Sequence, residues 1–86
     1  MEERRLNPIH PGQILLDEFV IPSGKPLPFI ADGLGMTPAE LDLLLQGDLD
    51  VSPAIAKMLA KAWDTTPQFW LNLQRDYQER TAAIER

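Results

Sequence analysis

A hydroxyl residue followed by proline occurs three times in this chain, and this pair constrains the fold more than any other feature. The pairs are Thr37-Pro38, Ser52-Pro53 and Thr66-Pro67. The hydroxyl accepts a hydrogen bond from the first turn of a helix, and proline suits the first helical position because its missing N–H would have no partner there. Each pair therefore predicts the start of a helix, and Pro11 after His10 predicts a fourth start.

Glycines supply the matching ends. Gly24, Gly35 and Gly47 each follow an apolar-periodic segment, where a left-handed residue commonly closes a helix. No segment alternates apolar and polar residues as a strand does. We expect one all-α domain over residues 1–86, with its core at about 10–80 and fraying at 81–86. Its five predicted helices cover 11–21, 27–34, 38–46, 53–63 and 67–82.

Each predicted helix carries an apolar face, which we expect to form the core. The faces are Ile14, Leu15 and Phe19; Phe29, Ile30 and Leu34; Leu41, Leu44 and Leu45; Ile55, Ala56, Leu59 and Trp63; and Phe69, Trp70, Leu73 and Tyr77. In the fifth helix Phe69 and Trp70 are adjacent, about 100° apart around the axis, so one should pack inside while the other covers a dimer seam or the domain edge. We predict a dimer interface at Phe69, Trp70, Leu73 and Tyr77, with simple core packing as the alternative.

Composition excludes several classes of function. The chain has no cysteine and one histidine, too few for a zinc site of the usual ligand number. Ser23 lies in a predicted turn and Ser52 is a predicted N-cap, so no nucleophile has an evident base; we predict neither catalysis nor a cofactor or metal. No apolar run is long enough to cross a bilayer and the N-terminus lacks the apolar core of a signal peptide, which predicts a cytoplasmic protein.

The middle of the chain has the layout of a helix-turn-helix. Residues 27–46 read as two short helices around a Leu34-Gly35 turn, and the second helix ends at Gly47. In this motif the second helix can enter the major groove of DNA with its N-terminal residues on base edges.

The flanking segments carry a family resemblance. His10-Pro11-Gly12, followed by Glu18-Phe19, resembles the opening motif of the HigA/VapI antidote proteins, and Phe69-Trp70-Leu71-Asn72-Leu73-Gln74 with Tyr77 resembles their closing motif. The resemblance implies a five-helix, lambda-repressor-like fold of the Xre-like class. It also implies a homodimer that neutralises a small ribonuclease toxin and represses its own operon by binding operator DNA.

By this resemblance the DNA-binding residues would be Lys25, Thr37, Ala39, Glu40, Leu43, Gln46 and Lys57. The sequence departs from the family at Ala39, Glu40 and Asp48, where Ser, Arg and a basic residue are frequent, and residues 36–50 contain four acids and no Lys or Arg. Like charges a few ångströms apart cost about 1 kcal/mol in water, against roughly 5–8 kcal/mol for non-specific DNA binding. A protein-binding module that masks a toxin and has little affinity for DNA is therefore the alternative function.

Several residues keep two interpretations. Glu40 either faces DNA or folds back onto Thr37 in a capping box. Lys25, Lys57 and an N-terminal arm with Arg4 and Arg5 are either phosphate contacts or solvated surface. His10 either caps the first helix or lies at a toxin interface.

Overall fold

The computed structural model describes residues 8–85, and within that range the chain forms five helices and no strand. Helix α1 covers 11–23 as three continuous segments, which are α-helical Pro11–Leu15, π-helical Leu16–Val20 and α-helical Ile21–Ser23. The others are α2 (Leu27–Leu34), α3 (Pro38–Gln46), α4 (Pro53–Trp63) and α5 (Pro67–Glu85). The predicted bounds of α2, α3 and α4 are confirmed. The ends predicted for α1 at 21 and α5 at 82 were too early, and residues 81–85 are helical.

The predicted helix starts are confirmed by side-chain hydrogen bonds. Each hydroxyl of the three hydroxyl–proline pairs accepts from the backbone N–H three residues later, which satisfies one donor that the helix itself leaves unpaired. The pairs are Thr37 Oγ1 with Glu40 N (3.1 Å), Ser52 Oγ with Ile55 N (3.2 Å) and Thr66 Oγ1 with Phe69 N (3.1 Å).

The predicted C-caps are also confirmed, since Gly24, Gly35 and Gly47 all have positive φ. Gly35 closes α2 with a φ of 81° and donates its N–H to Asp32 O at 3.1 Å. A side chain at this φ would be strained, so glycine is what allows the sharp turn between α2 and α3.

The π-helical stretch in α1 has a cause in the sequence. Pro22 lacks the N–H that an α-helix requires, and in regular α geometry its ring would press on the carbonyl of Glu18. The widened turn avoids this contact, and Ile21 donates its N–H to Leu16 O, five residues earlier. The helix thereby continues through proline to Ser23.

The core is a single apolar cluster built from all five helices. α1 packs on α3 and α5, α2 packs on α3 and α4, and α4 packs along α5. The largest side chains with almost no exposed surface are Trp70, Leu15, Leu41, Leu44 and Leu59. Met36 and Val51, which lie between helices, are buried as well.

The structure corrects the predicted core at Phe29, whose side chain is 60% exposed. The buried positions of α2 are Ile30, Ala31 and Leu34. Residues of a helix are about 100° apart, so Phe29 lies at least 100° from each of those three and points away from the core. Ala31 takes the core position that the prediction gave to phenylalanine.

Candidate nucleic-acid interface

Helix α3 presents a well-defined outward face. Its buried residues, Leu41, Leu44 and Leu45, lie within an arc of about 100° when successive residues are spaced about 100° apart. Opposite that arc, within about 60° of one another, lie Ala39, Leu43 and Gln46, all exposed. The centre of the face that α3 turns to solvent is therefore uncharged.

The acidic residues of α3 flank this centre and are hydrogen-bonded to neighbours. Glu40 lies about 90° to one side and Asp42 about 70° to the other. Glu40 Oε1 accepts from Thr37 N at 2.9 Å and from Thr37 Oγ1 at 3.2 Å, which completes the predicted capping box. Asp42 Oδ2 accepts from Gln46 Nε2 at 2.7 Å. Both carboxylates are held along the helix rather than projected from it.

The negative charge of the chain is concentrated in and next to the helix-turn-helix formed by α2 and α3. Residues 26–56 contain five acids (Asp32, Glu40, Asp42, Asp48 and Asp50) and no Lys or Arg, a net charge of 0 − 5 = −5. The remainder has eight basic and eight acidic residues, a net charge of 0, so this segment accounts for the whole charge of −5. The surface around α3 consequently repels phosphates unless nearby lysines offset it.

Two exposed lysines border the segment. Lys25 precedes α2, and its Nζ lies 5.2 Å from the centre of the Phe29 ring, close enough for a cation–π contact. Lys57 is the fifth of the eleven residues of α4. Arg4 and Arg5, predicted as an N-terminal arm, lie outside the described residues.

The N-terminal end of α1 fixes the position of α3 by direct backbone contact. A Cβ on Gly12 would lie 1.8 Å from Leu44 O, so only glycine allows α1 this close to α3. His10 Nδ1 accepts from Gly12 N at 2.9 Å, which confirms the predicted helix cap. The His10 ring is buried, meets Tyr77 edge-on at 4.8 Å and has Nε2 3.5 Å from Asp50 Oδ1. It therefore offers little surface to a partner.

The segment after α3 is held by a residue that the sequence-based prediction missed. Gln74 in α5 is buried, and its Oε1 accepts from Val51 N at 2.7 Å. This bond joins α5 to the connection that leads from α3 to α4. The only sequence signal was the place of Gln74 in the closing motif, since its polarity alone suggested an exposed position.

The predicted dimer face on α5 is only partly available. Phe69 is 40% exposed, and Leu73 and Tyr77 are half-buried at successive four-residue steps. Trp70 was wrongly included, because its side chain has no exposed surface and its Nε1 donates to Thr65 Oγ1 at 2.7 Å within the core. The prediction that one of the two adjacent aromatic residues packs inside is confirmed.

Residues 8–85 contain no group of three or more metal-ligating side chains that could hold an ion. No helix in the same range has the length and hydropathy needed to span a membrane.

Known proteins resemble this chain in both sequence and fold. No family model matches the chain. It is 34% identical over 74 residues to the helix-turn-helix transcriptional regulator YbaQ of Escherichia coli K12 and 32% identical over 74 residues to antitoxin HigA-1 of Vibrio cholerae. Each match covers 86% of this chain, but the chain spans only 66% of YbaQ, just under two thirds, and 70% of HigA-1.

Among solved structures, antitoxin GraA superposes with a TM-score of 0.88 and 39% identity, over 92% of this chain and 85% of that one. Pseudomonas aeruginosa antitoxin HigA with the higBA promoter superposes with a TM-score of 0.84 and 34% identity, over 88% and 83% of the two chains.

Proposed function

This chain belongs to the HigA family of helix-turn-helix antitoxins, and from that premise we propose that it is an antitoxin that represses its own operon by binding operator DNA. The observation that carries the proposal is the similarity of 88% of this chain, at a TM-score of 0.84, to a HigA antitoxin with its promoter. The exposed centre of α3 supports it, because a helix that follows the turn of this motif enters the major groove. An operator-bound protein works in the cytoplasm.

The proposal gives the predicted DNA-binding residues separate roles. Ala39, Leu43 and Gln46 form the centre of the α3 face and would meet base edges. Lys25 and Lys57 are exposed and would contact phosphates. Thr37 and Glu40 bond to each other in the capping box, so their part is to fix the start of α3.

The test is fluorescence anisotropy of the purified chain on DNA from upstream of its own coding sequence, against scrambled DNA of equal composition. We expect specific binding at low salt that weakens as salt rises. Leu43→Glu should reduce affinity at least tenfold, because it places a carboxylate at the base edges. Ala62→Glu adds the same charge at an exposed position of α4 and should change affinity little. Absence of binding to either DNA at low salt would refute repression by the free protein.

The salt dependence tests the phosphate contacts. Each contact contributes about −0.9 to the slope of log affinity against log salt. Lys57→Ala should therefore flatten that slope by about 0.9 per protomer. Lys61→Ala is the matched control, because Lys61 is exposed one turn later on the same helix, and it should leave the slope unchanged. If the two variants have the same slope of log affinity against log salt, Lys57 does not contact a phosphate.

We further propose a homodimer that uses the exposed part of the α5 face. Phe69, Leu73 and Tyr77 supply aromatic and apolar surface of the kind that interfaces favour. Phe69→Ser should shift sedimentation toward monomer, whereas Phe29→Ser, at a phenylalanine of α2 that is 60% exposed, should not. If Phe69→Ser leaves the dimer intact, the interface lies elsewhere.

The proposed toxin is a small ribonuclease, as in the family that the sequence resembles. We expect an adjacent gene for a small basic protein that arrests growth when expressed alone, and growth should resume when this chain is co-expressed. Continued arrest, with both proteins present in the cell, would contradict the antitoxin role.

A second candidate function is toxin masking without autonomous DNA binding. It is favoured by the concentration of the full net charge of −5 in residues 26–56. This alternative predicts no anisotropy change on any DNA together with tight toxin binding, so the same two experiments separate the candidates.

A further inference from the structure

The centre of the α3 face contains two apolar residues, Ala39 and Leu43, that are not part of the core. The side chain of Leu43 is 44% exposed. The nearby leucines of the same helix, Leu41 and Leu44, are completely buried. Ala39 is exposed one turn before Leu43, so the two side chains are neighbours on the helix surface. Together they form a small apolar surface at the part of α3 that would face the floor of a groove.

The polar side chains around this pair are already bonded. Glu40 is committed to Thr37, with its Oε1 on both the backbone N and Oγ1. Asp42 is committed to Gln46 Nε2. One oxygen of each acid that could accept from the amino group of cytosine is thus engaged within the helix, and both acids lie about 70–90° from the centre of the face.

The basic side chains that usually bind guanine are also absent from residues 26–56. Arginine and lysine are the usual partners of guanine O6 and N7, and residues 26–56 contain neither. The side chains left at the centre of the face are therefore mainly apolar. Among the groups that base edges present in the major groove, the C5-methyl of thymine is the one that apolar side chains contact.

We propose that Ala39 and Leu43 recognise thymine through its C5-methyl group, so that each operator half-site presents thymines to α3. This inference rests on the proposed operator binding. Four residues advance a helix by about 6 Å, close to two base-pair rises of roughly 3.4 Å. The two contacted thymines accordingly lie within about two base steps of each other, on the strand that α3 follows.

The experiment replaces thymine by deoxyuridine, which removes the methyl group and leaves the hydrogen-bonding atoms of the base unchanged. Anisotropy is measured on DNA from upstream of the coding sequence, with thymines replaced one at a time across each half-site. A buried methyl group is worth roughly 0.8 kcal/mol, so affinity should fall about fourfold at each contacted thymine. Replacement at thymines outside the half-sites should have no effect.

Leu43→Ala tests whether this side chain is responsible. Leu43 is largely exposed, so the variant should fold, which its thermal unfolding checks. It should bind unmodified DNA more weakly and lose the fourfold penalty at one thymine, whereas Lys61→Ala should keep the penalty at both. An unchanged penalty in Leu43→Ala would overturn the assignment.

The outcomes separate this inference from the function on which it rests. Specific binding of unmodified DNA together with a deoxyuridine effect below twofold everywhere would refute thymine reading and leave repression standing. Failure to bind unmodified DNA would refute operator binding, and thymine recognition with it.

Discussion

Replacing Gly12 with alanine tests whether α1 and α3 are held together by direct backbone contact. The added Cβ would lie 1.8 Å from Leu44 O and 2.8 Å from Leu44 C. A carbon atom and a carbonyl oxygen are normally at least about 3.3 Å apart, so the helices would have to separate by about 1.5 Å. The obstructing atoms are backbone in the last turn of α3, so no change of side-chain rotamer relieves the contact.

The cost follows from this geometry. Overpacking a core costs about 1–3 kcal/mol, and we expect the upper end because a whole helix must move. The shift would also weaken the hydrogen bond from Gly12 N to His10 Nδ1, and loss of an N-cap costs about 1 kcal/mol. A loss of about 3 kcal/mol is a large share of the roughly 4–13 kcal/mol expected for a domain of this size. The midpoint of thermal unfolding should fall by about 12–24 °C.

The assay is thermal unfolding followed by far-UV circular dichroism at one fixed protein concentration. Gly33→Ala is the matched control, because Gly33 is also helical but nothing lies within 4 Å of its added Cβ. There alanine should stabilise the helix by up to about 1 kcal/mol, so the midpoint should stay level or rise. An unchanged or raised midpoint for Gly12→Ala would show that α1 and α3 do not meet as described.

Three further substitutions test the caps and the core by the same unfolding assay. Thr37→Ala removes the capping box and should cost about 1 kcal/mol, a fall of roughly 4–8 °C; Thr37→Ser should restore most of the loss, and equal midpoints for the two variants would contradict the cap. Gly35→Ala forces a side chain to a φ of 81° and should cost about 1–2 kcal/mol, whereas an unaffected midpoint would mean that the turn relaxes freely. Trp70→Phe deletes the hydrogen bond to Thr65 and leaves a cavity, so it should cost about 2–3 kcal/mol; a loss below about 0.5 kcal/mol would show that Trp70 is not a central core residue.

The helix ends could be predicted from the sequence because their causes are local. A hydroxyl before proline and a glycine after an apolar segment act within a few residues, as Thr37 and Gly35 illustrate. The π-helical stretch was missed although its cause, Pro22, is equally local, because the prediction treated proline only as a helix start.

Features that depend on contacts between helices were harder to predict. Nothing in the sequence around Gly12 reveals that the backbone of Leu44 lies against it. The pairing of Gln74 with Val51 joins residues 23 positions apart. Two aromatic residues show the same limit. Phe29 was predicted to be buried, but the helix turns its side chain to solvent. Trp70 was included in the predicted dimer interface, but its side chain is completely buried.

Within the candidate interface, the sequence predicted which residues lie on α3 but not how their charges are used. The capping box was one of two interpretations of Glu40, and the bond from Gln46 to Asp42 was not anticipated. Both follow from four- or three-residue spacing on a helix. Which of the possible local pairs forms depends on side-chain conformations that spacing alone leaves open.

The capping box at Thr37 and Glu40 has a consequence for how strongly α3 can attract DNA. The first turn of a helix carries roughly half a positive charge, which favours a phosphate. In this chain a full negative charge already occupies that end, so one carboxylate both starts the helix and cancels its attraction for anions. Glutamine at this position can make the same pair of hydrogen bonds without the charge. Glutamate and glutamine at this position would therefore both start α3, but only glutamate would weaken the attraction of that helix end for a phosphate.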